Sequence, residues 1–176
     1  MTASLVILTG ASGAGKSALA RHFLEHYSAY CDVFFFDSIG VPPVEKMEAD
    51  YGSGEAWQRA MTLQWMTRIR PILSARRPVL FEGQMRIAFI REALTANKIA
   101  SAHIVLIDCD DDTRGARLHL DRSQPELANP IMMNWARYLR EEAFKLGIQT
   151  LDTGRKSFDH CIARLKPLLL TEQADE

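Results

Sequence analysis

The stretch that most restricts the fold is "LVILTGASGAGKS", residues 5–17. Five strand-forming residues lead straight into Gly10–Ser17, which fits G-x-x-x-x-G-K-[ST], and a helical pattern follows. Glycines and small residues let the chain wrap closely, so that backbone N–H groups converge on phosphate oxygens. The following helix adds the positive end of its dipole. In such a loop Lys16 reaches the β- and γ-phosphates and the Ser17 hydroxyl ligates Mg2+. The competing reading is a Gly/Ala-rich turn that merely precedes a helix. Motif, strand and helix together favour binding of a nucleoside triphosphate with Mg2+. The expected contacts are Gly10, Ala11, Ser12, Gly13, Ala14, Gly15, Lys16, Ser17 and Ala18, with Ser17 on the metal.

The remainder of the chain alternates short β-rich runs with longer helical ones. Strands are expected at Leu5–Thr9, Val33–Asp37, Pro78–Glu82, His103–Asp108 and Gln149–Leu151. Most are rich in Val, Ile, Leu and Phe without polar alternation, as in a parallel sheet covered on both faces. "VFFF", residues 33–36, reads in the same way as a strand buried on both sides. Helical patterns occupy Lys16–Tyr27, Gly54–Ala75, Arg86–Asn97, Asp112–Asp121, Pro130–Leu146 and about Ser157–Leu170, and Pro71 is expected to kink or end the second. With 176 residues, 47% of them hydrophobic, the chain suffices for one domain with a substantial core. The expected fold is a single α/β domain over 1–176: a three-layer, doubly wound sandwich on a five-stranded parallel sheet, the fold of the P-loop nucleoside triphosphate hydrolases. Active sites in such sheets lie at the carboxyl ends of the strands, where Asp37, Glu82 and Asp108 fall.

Charge and cysteines narrow the function classes. Twenty-one basic against 22 acidic residues provide no field for nucleic acid. No segment approaches the ~18 apolar residues of a membrane span, and the N-terminus lacks the basic region of a signal peptide. Three scattered cysteines, Cys31, Cys109 and Cys161, make no metal spacing and point to reduced thiols in a cytoplasmic protein.

"PVLFEGQMR", Pro78–Arg86, is a hydrophobic strand ending in Glu82 and Gly83, with Arg86 three residues on. It resembles the acid-Gly-x-x-Arg segment of adenylate-kinase-like P-loop kinases. There the acid lies beside Mg2+ and the arginine grips the acceptor's phosphate; Glu82 stands where those kinases usually have Asp. The alternatives are a helix N-terminal acid for Glu82 and a solvated first-turn residue for Arg86. In "IDCDDDTRGARLHLDR", Ile107–Arg122, the same resemblance assigns Arg117 to the adenine. Arg114, one turn earlier, is a substitute for the lid arginine, whose usual position is Asp121 here while Arg122 follows it. Asp110–Asp112 reads as a helix-start cap rather than a metal site. The resemblance also implies a lid over about 118–137. "NPIMMNWARYLREEA" puts Arg137 and Arg140 on one helix face, where such kinases carry cations that neutralise the moving phosphoryl group; a solvated face is the other reading. "LDTGRK", with Gly154, resembles the family's adenine-contacting loop.

The segment 38–77 corresponds to the part that holds the acceptor. From Ser38 to Gln58 it contains no arginine, and Lys46 is the only cation of that stretch. Nucleoside-monophosphate kinases usually need an arginine there, so the absence points to an acceptor that offers a hydroxyl. "FDSI" resembles the corresponding stretch of P-loop kinases that phosphorylate alcohols, including chloramphenicol phosphotransferases and, more loosely, shikimate and gluconate kinases. The resemblance makes Asp37 the group that accepts or orients the hydroxyl proton. Otherwise it is a turn residue bonding its own backbone. Tyr51 and Trp57 either line the acceptor pocket or belong to the core.

The residues expected to act in catalysis are thus Lys16, Asp37, Arg86, Arg117 and Arg137, with Glu82 and Ser17 on the metal. His22 and His26 at i, i+4 have no third ligand near them in sequence. Asn97-Lys98 is no guanine-reading motif, because Ala100 occupies its aspartate position. The expected activity is ATP-dependent phosphoryl transfer to a small-molecule hydroxyl, with a nucleoside-monophosphate kinase or a nucleotide-dependent switch as alternatives. Neither the acceptor nor the oligomeric state follows from the sequence.

Overall fold

The computed structural model describes residues 3–121 and 123–170. Five strands, β1 (Leu5–Thr9), β2 (Asp32–Phe35), β3 (Val79–Gly83), β4 (His103–Asp108) and β5 (Gln149–Asp152), form one sheet in the order β2-β3-β1-β4-β5. Every pairing is parallel. The helices are α1 (Lys16–Tyr27), α2 (Val44–Tyr51), α3 (Gly54–Ser74), α4 (Ile87–Ala96), α5 (Asp111–Ala116), α6 (Pro130–Lys145) and α7 (Phe158–Leu169). The expected doubly wound sandwich is the observed one. Because β1 lies between β3 and β4, the connections diverge at its carboxyl end, and the crevice of such a sheet opens there.

The pleat assigns each strand residue to a layer. Val6, Leu8, Leu80, Val105 and Ile107 pack against Leu19 and Phe23 of α1 and Leu165 of α7. Leu5, Ile7, Val79 and Phe81 face Trp65, Met66 and Ile69 of α3 and Ile90 of α4. Leu106 packs against Leu139 and Ala143 of α6. Both faces of the central strands are therefore covered, which explains their unbroken apolar character.

Four local expectations need correction. β2 is an edge strand and only half-buried, so Val33–Phe35 are not enclosed on both sides. It ends at Phe35, and Phe36–Ile39 form a 3-10 turn, which moves Asp37 out of the strand. The helix expected at Asp112–Asp121 is α-helical only to Ala116, and Arg117–Asp121 form a π turn. Pro71 sits in the last turn of α3, which continues to Ser74, so the proline breaks little of the ladder.

No helix among the described residues is long and apolar enough to cross a membrane.

Candidate active site

Gly10 makes the first turn of the loop possible. A Cβ there would lie 2.1 Å from the Ile107 carbonyl oxygen, so no side chain fits between the loop and β4. Downstream, α1 begins after Gly15 with neither a side-chain cap nor an acid in its first turn. Other helices are treated differently. Ser53, Asp110, Asn129 and Ser157 cap α3, α5, α6 and α7 through their side chains. The Glu142 carboxylate of α6 accepts from Ile87 N and Ala88 N of α4, each at 3.0 Å. At α1 the positive end of the dipole is instead directed into the loop, as an anion cradle requires.

Lys16 is buried, and its Nζ donates to the Ala11 carbonyl at 3.1 Å. Glu82 follows the parity of Leu80 on β3, which turns it to the α1 side of the sheet. There its Oε1 accepts from Ser17 Oγ at 3.2 Å, and the carboxylate is buried. A hydroxyl and a carboxylate side by side are hard oxygen donors of the kind Mg2+ takes, so these residues fit that ion. The next turn is tied to the loop as well: Thr9 Oγ1 donates to Met85 O at 2.6 Å, and Ser12 Oγ to Gln84 Oε1 at 3.1 Å.

Asp37 owes its position to Phe36. The Phe36 ring is buried between Trp57, with centroids 5.8 Å apart, and Phe81, at 6.3 Å. Its carbonyl accepts from Trp65 Nε1 at 3.1 Å. Opposite stands Gly83, where a Cβ would meet the Phe36 Cβ at 2.4 Å. With Phe36 anchored inward, Asp37 and Ser38 are turned out to solvent. Trp57 and Trp65 are thus core residues, whereas Tyr51 is exposed.

Arg86 precedes α4. Its Nη2 pairs with Glu55 Oε2 at 2.9 Å, and its guanidinium lies 5.0 Å from the Trp135 ring and 4.8 Å from Tyr138. Gln58 fixes this corner by donating to Gln84 O at 2.9 Å and accepting from Arg86 N at 3.1 Å.

The two arginines of the α5 region take different places. Arg114 is fully buried and reaches from Ser12 O at 2.9 Å to Asp108 Oδ1 at 2.7 Å, joining loop to strand end. Arg117 donates to Thr153 Oγ1 and Thr153 O, both at 2.8 Å. It walls a cleft of about 350 Å3 together with Gly13, Gly15, Ala18, Thr153 and Phe158. The cleft is bounded by the P-loop on one side and the loop after β5 on the other, where a nucleobase tethered to loop-bound phosphates would lie. Gly154 is not in that wall; its N–H donates to Asp152 Oδ1 at 2.9 Å.

On α6 the paired arginines separate. Arg140 Nε bonds Asp108 Oδ2 at 2.6 Å, and that pairing raises the Arg140 pKa above its usual value. Arg137 is exposed and bonds Asn134. Asp110 caps α5, and the Thr113 amide and hydroxyl hold its carboxyl below the ordinary range. No cluster of three metal-ligating side chains occurs among the described residues. Arg122 lies outside them.

Sequence reasoning missed Gln58, Glu55 and Thr153. Thr153 lies within a loop already singled out, so position pointed to it. Gln58 and Glu55 carry no motif, and only the packing of α3 against the β3–α4 turn reveals them.

No protein-family model matches the chain, and no curated protein does. Solved structures resemble it over nearly its whole length. Shikimate kinase from Acinetobacter baumannii, in complex with shikimate, is 17% identical with a TM-score of 0.63, covering 99% of this chain and 97% of that one. A gluconokinase from Sinorhizobium meliloti 1021 is 16% identical at TM-score 0.57, covering 92% and 93%. The Mycobacterium tuberculosis APS kinase, in complex with AMPPNP and APS, is 19% identical at 0.58, covering 95% and 97%. At these identities the likeness shows the fold, that of the small P-loop kinases.

Proposed function

We propose that the protein is an ATP-dependent kinase that transfers the γ-phosphoryl group to a hydroxyl of a small molecule. One observation carries the reading. Phe35, Glu82 and Leu8 stand in register across β2, β3 and β1, so the Asp37 turn, the Ser17–Glu82 pair and the P-loop adjoin at one end of the sheet. A carboxylate for the acceptor beside a cradle for the donor is what phosphoryl transfer to an alcohol needs, because its loose transition state depends mainly on positioning and charge.

In this reading the loop amides and Lys16 hold the β- and γ-phosphates. Ser17 and Glu82 hold Mg2+, which when bound supplies positive charge to the phosphate oxygens. Arg117 and the cleft beside Thr153 receive the adenine. Segment 38–77 orients the acceptor so that its hydroxyl donates a hydrogen bond to Asp37, which takes up the proton as the oxygen–phosphorus bond forms and ADP departs. Arg137 and Arg140, at the border of a lid spanning about 118–137, supply cationic groups near the transferred phosphoryl. Three buried free thiols suit a reducing compartment, the cytoplasm.

The test is Asp37→Asn. Loss of transfer with ATP binding retained is the expected result, and full turnover removes Asp37 from the mechanism.

A further inference from the structure

We infer that the acceptor carries no anionic group, because Glu55 withholds Arg86, the cation of the acceptor side that precedes α4, from anions. This rests on the kinase reading and specifies its acceptor class.

Segment 38–65 and the β3–α4 turn at 83–86 contain three cations, Lys46, Arg59 and Arg86. Each is paired with an acid of the same side. Lys46 Nζ meets Asp50 Oδ2 at 2.7 Å. Arg59 forms a two-pronged pair with Glu92, Nε to Oε2 at 2.8 Å and Nη2 to Oε1 at 2.6 Å. Arg86 meets Glu55 at 2.9 Å. Segment 38–65 has four acids against two cations, and Asp37 adjoins it. An incoming carboxylate or phosphate thus meets a net negative charge here and, among these three cations, none without an acid partner.

Arg86 is the decisive case, since it is the last residue of the turn that Ser12 and Gln58 fasten to the P-loop and α3. Trp135 and Tyr138, themselves stacked with centroids 5.4 Å apart, hold the guanidinium plane in place. Fixed there, its Nη2 meets Glu55 Oε2, and the side chain is only 24% exposed. An acceptor anion would have to approach it against the Glu55 carboxylate. A neutral alcohol leaves the pair intact and uses Asp37.

The test is calorimetric titration with inorganic phosphate on the wild type, Glu55→Gln, Arg86→Gln and the double variant. Phosphate held at the P-loop is common to all four and cancels in the comparison. Wild type and Arg86→Gln should bind phosphate alike, while Glu55→Gln should gain about 5-fold in affinity, a gain lost in the double variant. Weaker binding by Arg86→Gln than by wild type would overturn the inference, as would no gain in Glu55→Gln. Failure of the kinase reading itself shows elsewhere, as absence of ATP binding or of any phosphorylated acceptor, which this titration does not measure.

Discussion

Ser17 and Glu82 meet at the base of the P-loop, the serine Oγ donating to the glutamate Oε1 at 3.2 Å. The contact joins the first turn of α1 to the end of β3, and strand parity alone turns Glu82 toward it. Two hard oxygen donors, one of them charged, are thereby placed beside a loop shaped for phosphate.

Glu82→Gln keeps the size and the hydrogen bond to Ser17 but removes the charge. It should weaken Mg-nucleotide binding by about 10-fold or more while leaving metal-free nucleotide binding unchanged. Nucleotide titrations with Mg2+ and with EDTA measure the difference, and equal affinities in wild type and variant would exclude Glu82 as a ligand.

Gly83→Ala tests the positioning of Asp37. The added Cβ would collide with Phe36 at 2.4 Å and push the 3-10 turn aside. A shift near 1 Å should lower kcat about 100-fold with little change in the KM for ATP. Unaltered kcat would show that the turn tolerates displacement, contrary to the role given to Asp37.

Arg114 should matter for stability more than its surroundings suggest. It is fully buried and satisfies both Asp108 and the Ser12 carbonyl. Arg114→Ala is expected to cost about 3 kcal/mol, since a buried carboxylate loses a partner. Arg114→Lys should rescue little of this, because an ammonium cannot span both contacts as the planar fork does. The exposed Arg137→Ala should change stability by no more than about 0.5 kcal/mol. Urea midpoints for the three variants decide the matter.

Burial pushes the Cys31 thiol up from 9.0 to about 11. The unfolded chain therefore releases that proton near pH 9 and the folded chain near pH 11. Stability from this group is complete below pH 9 and is lost as pH rises between those values. Urea midpoints of the wild type should fall more steeply from pH 9 to 11 than those of Cys31→Ala. Equal slopes would contradict the shift.

Much of this was legible before folding. β1, α1 and β4 occupy the expected residues because their signals are local: an apolar run, a glycine loop, a helical period. β2 departs from its expected burial because burial depends on strand order. "VFFF" is as apolar as a central strand yet lies at the edge, and its last phenylalanine turns into the core only because Gly83 leaves room for it. Arg137 and Arg140 share a helix face by spacing, but which one meets Asp108 depends on where α6 lies relative to β4. The pairing of Arg86 with Glu55 is tertiary as well: 31 residues separate the partners, and neither belongs to a pattern that names the other.

Phosphoryl transfer to an uncharged alcohol is read out by a metabolite-library reaction. The purified protein is incubated with Mg2+ and γ-18O-labelled ATP, and the products are identified by mass. The expected product is a labelled phosphomonoester of a neutral hydroxyl compound, formed by the wild type and lost in Asp37→Asn. Labelled nucleoside diphosphate formed from a monophosphate, or ATP hydrolysis with label only in inorganic phosphate, would contradict it.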